Sequence, residues 1–509
     1  METLQWENTW FKGGVSLIRE LLRKILYISR LEDIELYLVG GFIRDLIQGE
    51  NREALDIDFI LKGENPNSFL QRITSELKGT LVVLDEKNKV YRVVVKIKEL
   101  KKYLDFSVMQ GNNLEEDLRG RDFTINSIAI KLGDYINKPL DKEIIIDPTG
   151  GIKDLEKGLI KEVSPRVFEE DPLRLLRGVR FCAQLNFDLE DKTKKNIIKN
   201  NSLIKVVSGE RIREELWNIL DEDNSYPWIY LLEEDLRILT RLFSDVENMR
   251  LTEQNFYHGE NVWRHCLRTY RYMEKFINEP PFTKDLSLQL NKRLEEEIIP
   301  GRKRKHLLKL FALFHDAGKV STQKTLDSGR TTFFGHEKAG VEIMEKIGKR
   351  LKLSSKEISV LMSLMKHHMR PLFLYMVKNL KPRTCYRFFR KVGRESPEVL
   401  FHSAVDFISK RKAKGQGEGE FNDYRRFLQQ LLKKYFYEEE RYVNPLPLVN
   451  GRDLMKDLNL KPSPALGYIL DKISEAQAEG RVKNRKEAIQ FASELAKGKN
   501  LEKRFGKIL

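Results

Sequence analysis

The feature that most constrains this chain is a pair of carboxylates, Asp56-Ile57-Asp58, set inside the apolar run LDIDFIL at 55–61. Period-two alternation reads as a strand, which puts both carboxylates on one face and turns Ile57 and Phe59 toward a core. Two like charges this close repel each other, and a divalent ion between them removes that cost. Mg²⁺ favours carboxylates together with phosphate oxygens, so a nucleotide is the natural third party. Taken alone, the pair is equally a solvated strand end with two idle aspartates. The upstream LVGGFIRD shifts the balance: a short apolar run, LYLV at 36–39, ends at Gly40 and Gly41, and a helix-like FIRDLIQG follows. Glycines at a strand-to-helix turn leave bare N–H groups that can cradle a phosphate, with Arg44 about one turn into the helix. Asp105, in the strand-like YLDFSVM, offers a third ligand from a neighbouring strand.

Around this motif the first 147 residues read as mixed α/β. Residues 15–31 have helical spacing, residues 69–78 look helical, and TLVVLD and VYRVVVKI are further strands. After DPTGG at 147–151 the strand character fades, and the rest reads as helices. This predicts an α+β chain of four parts: a head at 1–147, a neck at 148–235, a body at 236–435 and a tail at 436–509. A lysine-rich hinge is expected near 300–306, and an exposed polar loop near 411–421. The length of 509 residues suits several domains. The charge of +15 suggests a polyanionic partner. Cys182, Cys266 and Cys385 are widely spaced and read as free thiols. METLQWENTWFKGG is unlike a secretory signal, and no run suits a membrane span, so a cytoplasmic protein is expected, a monomer or weak oligomer.

Two further constellations carry chemistry. In EDPLRLLRGVRF at 170–181, Asp171 and Pro172 suit a helix start. Arg174, Arg177 and Arg180 are three apart and share a broad face, while Leu173, Leu176 and Phe181 supply the core side. A guanidinium beside a carboxylate can read a base edge by paired hydrogen bonds, or the segment is a salt-bridged surface helix. Of eight histidines, His265, His315, His336, His367 and His368 fall within about a hundred residues, and His315-Asp316 opens HDAGK on an apolar helix.

Together these motifs resemble the class II tRNA nucleotidyltransferases and bacterial poly(A) polymerases, within the superfamily of DNA polymerase beta. The segment RDFTIN, with Arg121, Asp122 and Asn126, resembles the family's RRDFTIN, with Gly120 in place of the first arginine. DPTGGIKDLEKGLIK at 147–161 is also family-like. The resemblance implies a polymerase-beta-like head with a mixed sheet, followed by helical parts. It implies that Asp56, Asp58 and Asp105 are catalytic, with Mg²⁺ on Asp56 and Asp58. Gly40, Gly41, Arg44, Asp45, Arg121, Asp122 and Asn126 would bind the nucleotide. Asp171 and Arg174 would act as a protein template for ATP or CTP, with Arg177 and Arg180 on the phosphate side. In GERIREEL, Glu210, Arg211 and Glu214 would brace the neck.

The pattern H…HD…D resembles the HD phosphohydrolases. It implies a divalent transition metal on His265, His315, Asp316 and Asp406, with His336 and His367 as additional histidines, and a phosphoesterase activity as in related bacterial enzymes. The bland alternative is a helical scaffold with packed histidines. The tail resembles the family's tRNA-elbow-binding region, which would place Arg452, Lys461 and Gly467 on RNA; the plain alternative is a helical cap domain.

The partners implied are the tRNA acceptor end and elbow and a nucleoside triphosphate, with no membrane. Full CCA-adding relatives have a flexible loop before RRDFTIN that is implicated in the switch from C to A. Here only GNNLEEDLRG stands in that place, which fits a split-function enzyme. The expectation is AMP transfer from ATP to the tRNA 3′ end. The alternatives are full CCA or CC addition. Poly(A) polymerase, an HD hydrolase as the main activity and an inactive RNA-binding scaffold stand further off.

Overall fold

The computed structural model describes residues 14–49, 56–97, 100–138, 141–254, 260–377, 380–413 and 418–497. The chain divides into two compact units. One holds the residues up to Val207 together with Leu231–Arg241; the other holds Ser208–Tyr230 and everything from Leu242 onward. METLQWENTWFKG and the last twelve residues lie outside the described residues.

The first unit is built on a seven-stranded sheet. Its strands are β1 (Glu35–Val39), β2 (Asp56–Lys62), β3 (Thr80–Asp85), β4 (Val90–Ile97), β5 (Leu100–Val108), β6 (Ala129–Lys131) and β7 (Ile145–Ile146). The spatial order is β3-β4-β5-β2-β1-β6-β7. Only β2 and β5 pair in parallel; every other pair is antiparallel. The expected mixed sheet is therefore present. Alternation works as read: Ile57 and Phe59 are each 1% exposed, and Phe59 stacks on Phe106 with ring centres 4.8 Å apart. Three helices flank these strands: α1 (Gly14–Leu31), α2 (Gly40–Ile47) and α3 (Pro66–Glu76). Phe69 of α3 meets Phe106 edge-on and closes one face of the core.

The segment GNNLEEDLRG is not an open loop. Leu114–Arg119 forms a short helix, α4, because Asn113 caps it by accepting from Glu116 N. Beyond it, Thr124–Asn126 makes a single tight turn, held by Thr124 Oγ1 donating to Asp154. The DPTGG segment folds as an Asp147 cap that accepts from Gly151 N and Ile152 N at 2.8 and 3.0 Å. A Cβ on Gly151 would lie 2.1 Å from Thr124 O, so only glycine allows these two turns to touch.

The second unit is helical, apart from two small hairpins. PGRKRKH is a hairpin rather than a hinge: Glu297–Ile299 pairs with Arg302–Lys303 around Gly301, which sits at φ +74°. Arg302 and Arg304 are tied down by the buried carboxylates of Glu357 and Glu398. The polar stretch near 411–421 belongs largely to two helices, Ser396–Ala413 and Glu418–Tyr437; residues 414–417 lie outside the described ones. Polar composition misled because these helices bury Tyr424, Phe427 and Leu428 on one side and leave the charges outside. The GERIREEL helix, Gly209–Asp221, also belongs to this unit, where Arg213 donates to the Lys352 carbonyl at 2.8 Å. The residues from 449 to 496 build a small core of their own around Leu454, Ile469 and Ala492. No described helix is long and apolar enough to cross a membrane, and the three cysteines are free and buried.

Gly151→Ala forces a methyl group into a backbone carbonyl. It is expected to destabilise the first unit by about 1–3 kcal/mol, seen as an earlier first transition in thermal unfolding. An unshifted transition would show that this contact is easily relaxed.

Candidate functional site

A cavity of about 790 Å³ opens over the centre of the sheet in the first unit. Every residue expected to be catalytic or to bind the nucleotide lines it: Asp56, Asp58, Asp105, Gly40, Gly41, Arg44, Asp45, Arg121, Asp122, Asn126, Asp171, Arg174, Arg177 and Arg180.

The floor is set by strand register. Asp58 on β2 lies beside Val39 of β1 on one side and Asp105 of β5 on the other. Val39 runs straight into α2, whose first residue, Gly40, has φ +69°. A Cβ there would sit 2.6 Å from Asp58 Oδ2, so the helix start can lie against the carboxylate only because residue 40 is glycine. Burial raises Asp58 to about 6, Arg121 opposes that rise, and Asp105 and Asp56 add to it. Burial also raises Asp56, against the pull of Arg92. Such a pair fits a divalent cation, which would supply the missing positive charge. Asp105, expected as a third ligand, is beside them, but both its oxygens accept from Arg92 at 2.7 Å.

The wall is a network of arginines around one carboxylate. Asp122 is buried, yet Arg177 holds it down at about 2 against the effect of burial. Arg177 donates to Asp122 Oδ2 from Nε (2.9 Å) and Nη2 (2.6 Å). Asp122 Oδ1 accepts from Phe123 N and from Asn126, whose own oxygen accepts from Arg44 Nη1 at 3.2 Å. Arg121 pairs with Asp117 of α4 at 3.5 Å.

The helix expected from Asp171 begins later, at Arg174, and runs to Leu185. Asp171 lies just ahead of it and accepts from Leu173 N at 3.2 Å, so it caps the turn containing Pro172. Leu175, Leu176, Val179 and Cys182 are buried on the far side, which leaves Arg174, Arg177 and Arg180 facing the cavity. Arg174 is steadied by the Gly120 and Val167 carbonyls and Glu170. Gly178 lets the helix press on Phe123, since a Cβ would meet that ring at 2.9 Å.

Phe181, read as a core residue, does more. It is 5% exposed and lines the cavity beneath Arg180, Arg177 and Arg44, whose guanidinium carbons lie 4.1, 5.4 and 5.9 Å from its ring centre. Its place four residues after the second of three spaced arginines, one helical turn on, was the available signal.

The second unit carries a separate cluster. His265 Nε2 lies 3.2 Å from Asp316 and 3.0 Å from Asp406; His315 Nε2 lies 3.4 and 3.6 Å from the same two groups. The four residues expected to share a metal are thus together. His336 and His368 join them on Asp316 Oδ1 at 3.3 and 3.9 Å. His367, expected here, instead accepts from Arg370 at 2.8 Å; one residue along the helix end turns the ring away.

His336 and His368 each use Nδ1 on a backbone carbonyl, of Phe333 and Met365, and their Nε2 atoms face each other at 3.2 Å. Burial and neighbouring His336 push His368 down to about 3, so its ring is neutral. Two such lone pairs facing each other, with both Asp316 oxygens and Asp406 Oδ1 lacking hydrogen bonds, form a donor set suited to cations. Asp316 is common to both three-residue groups, His265–His315–Asp316 and Asp316–His336–His368.

Three residues here were missed in the sequence. Lys319 and Lys410 reach Asp316 and Asp406 at 2.7 Å, signalled by i+3 and i+4 spacing. His402, fully buried between His315 and Phe311, sits four residues before Asp406. In the tail, Arg452 and Lys461 are exposed, and Gly467 lies in the first turn of Pro464–Ala478 with open space beside it.

Comparison with known proteins matches this arrangement. The poly A polymerase head domain model matches residues 36–161, and the model of the RNA and SrmB binding site of polymerase A matches 186–249. The HD domain matches 262–401, and tRNA nucleotidyltransferase domain 2 matches 339–492. The chain belongs to the tRNA nucleotidyltransferase and poly(A) polymerase family. This nucleotidyltransferase is 28% identical to the CC-adding tRNA nucleotidyltransferase of Synechocystis, over 95% of this chain and 99% of that one. It is also 28% identical to the A-adding tRNA nucleotidyltransferase of Deinococcus radiodurans, over 90% and 95%. Its fold is similar to a CCA-adding enzyme in an apo form, with TM-score 0.64 and 19% identity over 98% and 97% of the two chains.

The raised Asp58 carboxyl sets a pH dependence for the metal-free nucleotidyltransferase. Folding disfavours its charged form, so the cost is absent below the ordinary value of 3.8 and full above about 6. Asp58→Asn is expected to stabilise the metal-free protein above pH 6, on the order of 2 kcal/mol, with the gain gone below pH 4. A gain that is equal at both pH values would show that burial does not perturb this group.

Proposed function

We propose that this chain extends the 3′ end of tRNA by nucleotidyl transfer from CTP or ATP without a nucleic-acid template. The observation that carries the reading is the single cavity lined by both the carboxylates and the arginine helix. The 3′-hydroxyl oxygen bonds to the α-phosphorus as the bond from that phosphorus to the bridging oxygen breaks, and pyrophosphate leaves. Mg²⁺ held by Asp56 and Asp58 would lower the charge cost of both changes. Gly40, Gly41, Arg44, Asp45, Arg121 and Asn126 hold the triphosphate and ribose side. Asp171 and Arg174 present a fixed donor and acceptor edge to the base, with Arg177 held by Asp122 and Arg180 flanking them. The head aligns the reactants, the arginine helix reads the base, and the exposed Arg452, Lys461 and Gly467 contact RNA backbone.

The segment before RDFTIN bears on the subtype. A switch from C to A requires that segment to move, but here it is a short helix with Asn113 as its cap and Asp117 held by Gln110 N at 2.7 Å. That favours one fixed base. One fixed base fits either split-function enzyme, and the alignment to the Synechocystis CC-adding enzyme over 95% of this chain supports CC addition. A addition, expected from the sequence, is the second reading and is supported by the Deinococcus relative.

The assay uses tRNAs ending at the discriminator base, at the first C or at the second C, each with labelled CTP or ATP. CTP incorporation on the two shorter tRNAs alone is the expected result. ATP incorporation only on the CC end would establish A addition. Both nucleotides on the shortest tRNA would establish full CCA addition. No incorporation, with Asp58→Ala behaving like the unaltered chain, would overturn the reading.

For the HD region we infer a divalent transition metal at each of the two histidine groups, with His265, His315, Asp316 and Asp406 at one and Asp316, His336 and His368 at the other. The centre suits hydrolysis of a phosphoester. Metal content of the purified chain is expected to fall partly in His336→Ala and nearly completely in Asp316→Ala. An unaltered chain that holds no more metal than its buffer, and does not hydrolyse 2′,3′-cyclic AMP, would sink this assignment.

A further inference from the structure

The sheet face that carries Asp58 continues beyond the carboxylates. Register takes it outward in one row: Asp58 pairs with Asp105, Asp105 with Arg92, and Arg92 with Val82 on the edge strand β3. Paired positions share a face, so these four side chains lie on the same side of the sheet. The glycines and arginines assigned to the nucleotide lie from β2 toward β1 and the arginine helix, whereas β5, β4 and β3 extend the opposite way. In-line transfer puts the attacking oxygen and the leaving group on opposite sides of the phosphorus. With the triphosphate on the β1 side, the RNA end has to enter over β5, β4 and β3.

That half of the face has the chemistry of a strand terminus. Arg92 spends Nε and Nη2 on Asp105, and Nη1 makes no hydrogen bond among the described residues. The side chain is 32% exposed, and its guanidinium carbon lies 4.9 Å from the Tyr103 ring centre. Val82 continues the row and is 41% exposed, on an edge strand whose apolar residues are all exposed. A cation with a spare N–H, an aromatic ring and an exposed apolar edge together match a phosphate followed by a base. A second copy pairing along β3 is the competing occupant. A six-residue strand edge, however, offers much less than the roughly 1,200 Å² that stable interfaces bury.

We propose that Arg92, Tyr103 and Val82 form the subsite for the last nucleotides of the RNA acceptor. Arg92 Nη1 takes the terminal phosphodiester, while Tyr103 and Val82 support the terminal base. Arg92 also positions Asp105 toward that end. The inference rests on the reading of this chain as a tRNA 3′-end nucleotidyltransferase.

The test measures binding of tRNA by the full chain without nucleoside triphosphate, so it needs no turnover. Two RNAs are compared: tRNA ending at the first C, and the same tRNA with its single-stranded acceptor end removed. Arg92→Gln and Val82→Glu are each expected to weaken binding of the first RNA roughly tenfold and to leave the second unchanged. Arg92→Lys is expected to recover part of the loss. In turnover, KM for tRNA rises while KM for the nucleotide stays level. Equal binding of both RNAs by all variants, or a fall in kcat alone, would reduce Arg92 to a support for Asp105 and overturn the subsite. Dimerisation of the unaltered chain that Val82→Glu abolishes, with RNA binding unchanged, would assign the edge to a second copy. If the unaltered chain binds the acceptor end in this way but transfers no nucleotide, the functional reading fails and the subsite stands.

Discussion

The first unit depends on the ion pair between the buried Asp122 and the half-buried Arg177. Burying a carboxylate alone is costly, and here the guanidinium overcomes that cost enough to hold Asp122 at about 2. The pair does more than neutralise charge. Asp122 belongs to the RDFTIN turn, Arg177 to the arginine helix, and Asn126 passes the contact on to Arg44 in α2. Three segments distant in sequence are thereby fixed as one wall. Gly178 and Gly151 permit the close approaches that the pair requires, because a side chain at either would collide with Phe123 or Thr124.

This arrangement leaves a charge imbalance that suits the proposed substrate. Five arginines, at 44, 121, 174, 177 and 180, surround one cavity, and Asp45, Asp117, Asp122 and Glu170 partly offset them. On the floor the sign reverses, with Asp56 and Asp58 both pushed up by burial. A polyphosphate with a divalent cation would relieve both imbalances together. The histidine cluster of the second unit solves a related problem differently: its carboxylates are offset by Lys319 and Lys410, and its imidazoles are aimed by backbone carbonyls.

Much of this was legible in the sequence because short β-branched apolar runs and period-two alternation mark strands. TLVVLD and VYRVVVKI coincide with β3 and β4, and the alternation around Ile57 gave the orientation of both carboxylates. Where reading failed, composition stood in for packing. The lysine-rich 300–306 segment looked mobile, yet Glu357 and Glu398, far away in sequence, fasten it. The polar stretch near 411–421 looked like a loop because its helices bury only one side. His367 and His368 could not be told apart, since a turn of one residue at a helix end decides which ring points inward.

The sequence by itself determined the local chemistry: which residues carry charge, which glycines free the backbone, and which strand face holds the carboxylates. Those are properties of short spacing and period, and they need no partner. The tertiary structure decided what each group meets. It placed Arg92 on both oxygens of Asp105, set Phe181 beneath three guanidinium groups, and shared Asp316 between two histidine groups. These contacts are settled by strand register and by the packing of helices against segments elsewhere in the chain, which sequence spacing alone does not fix.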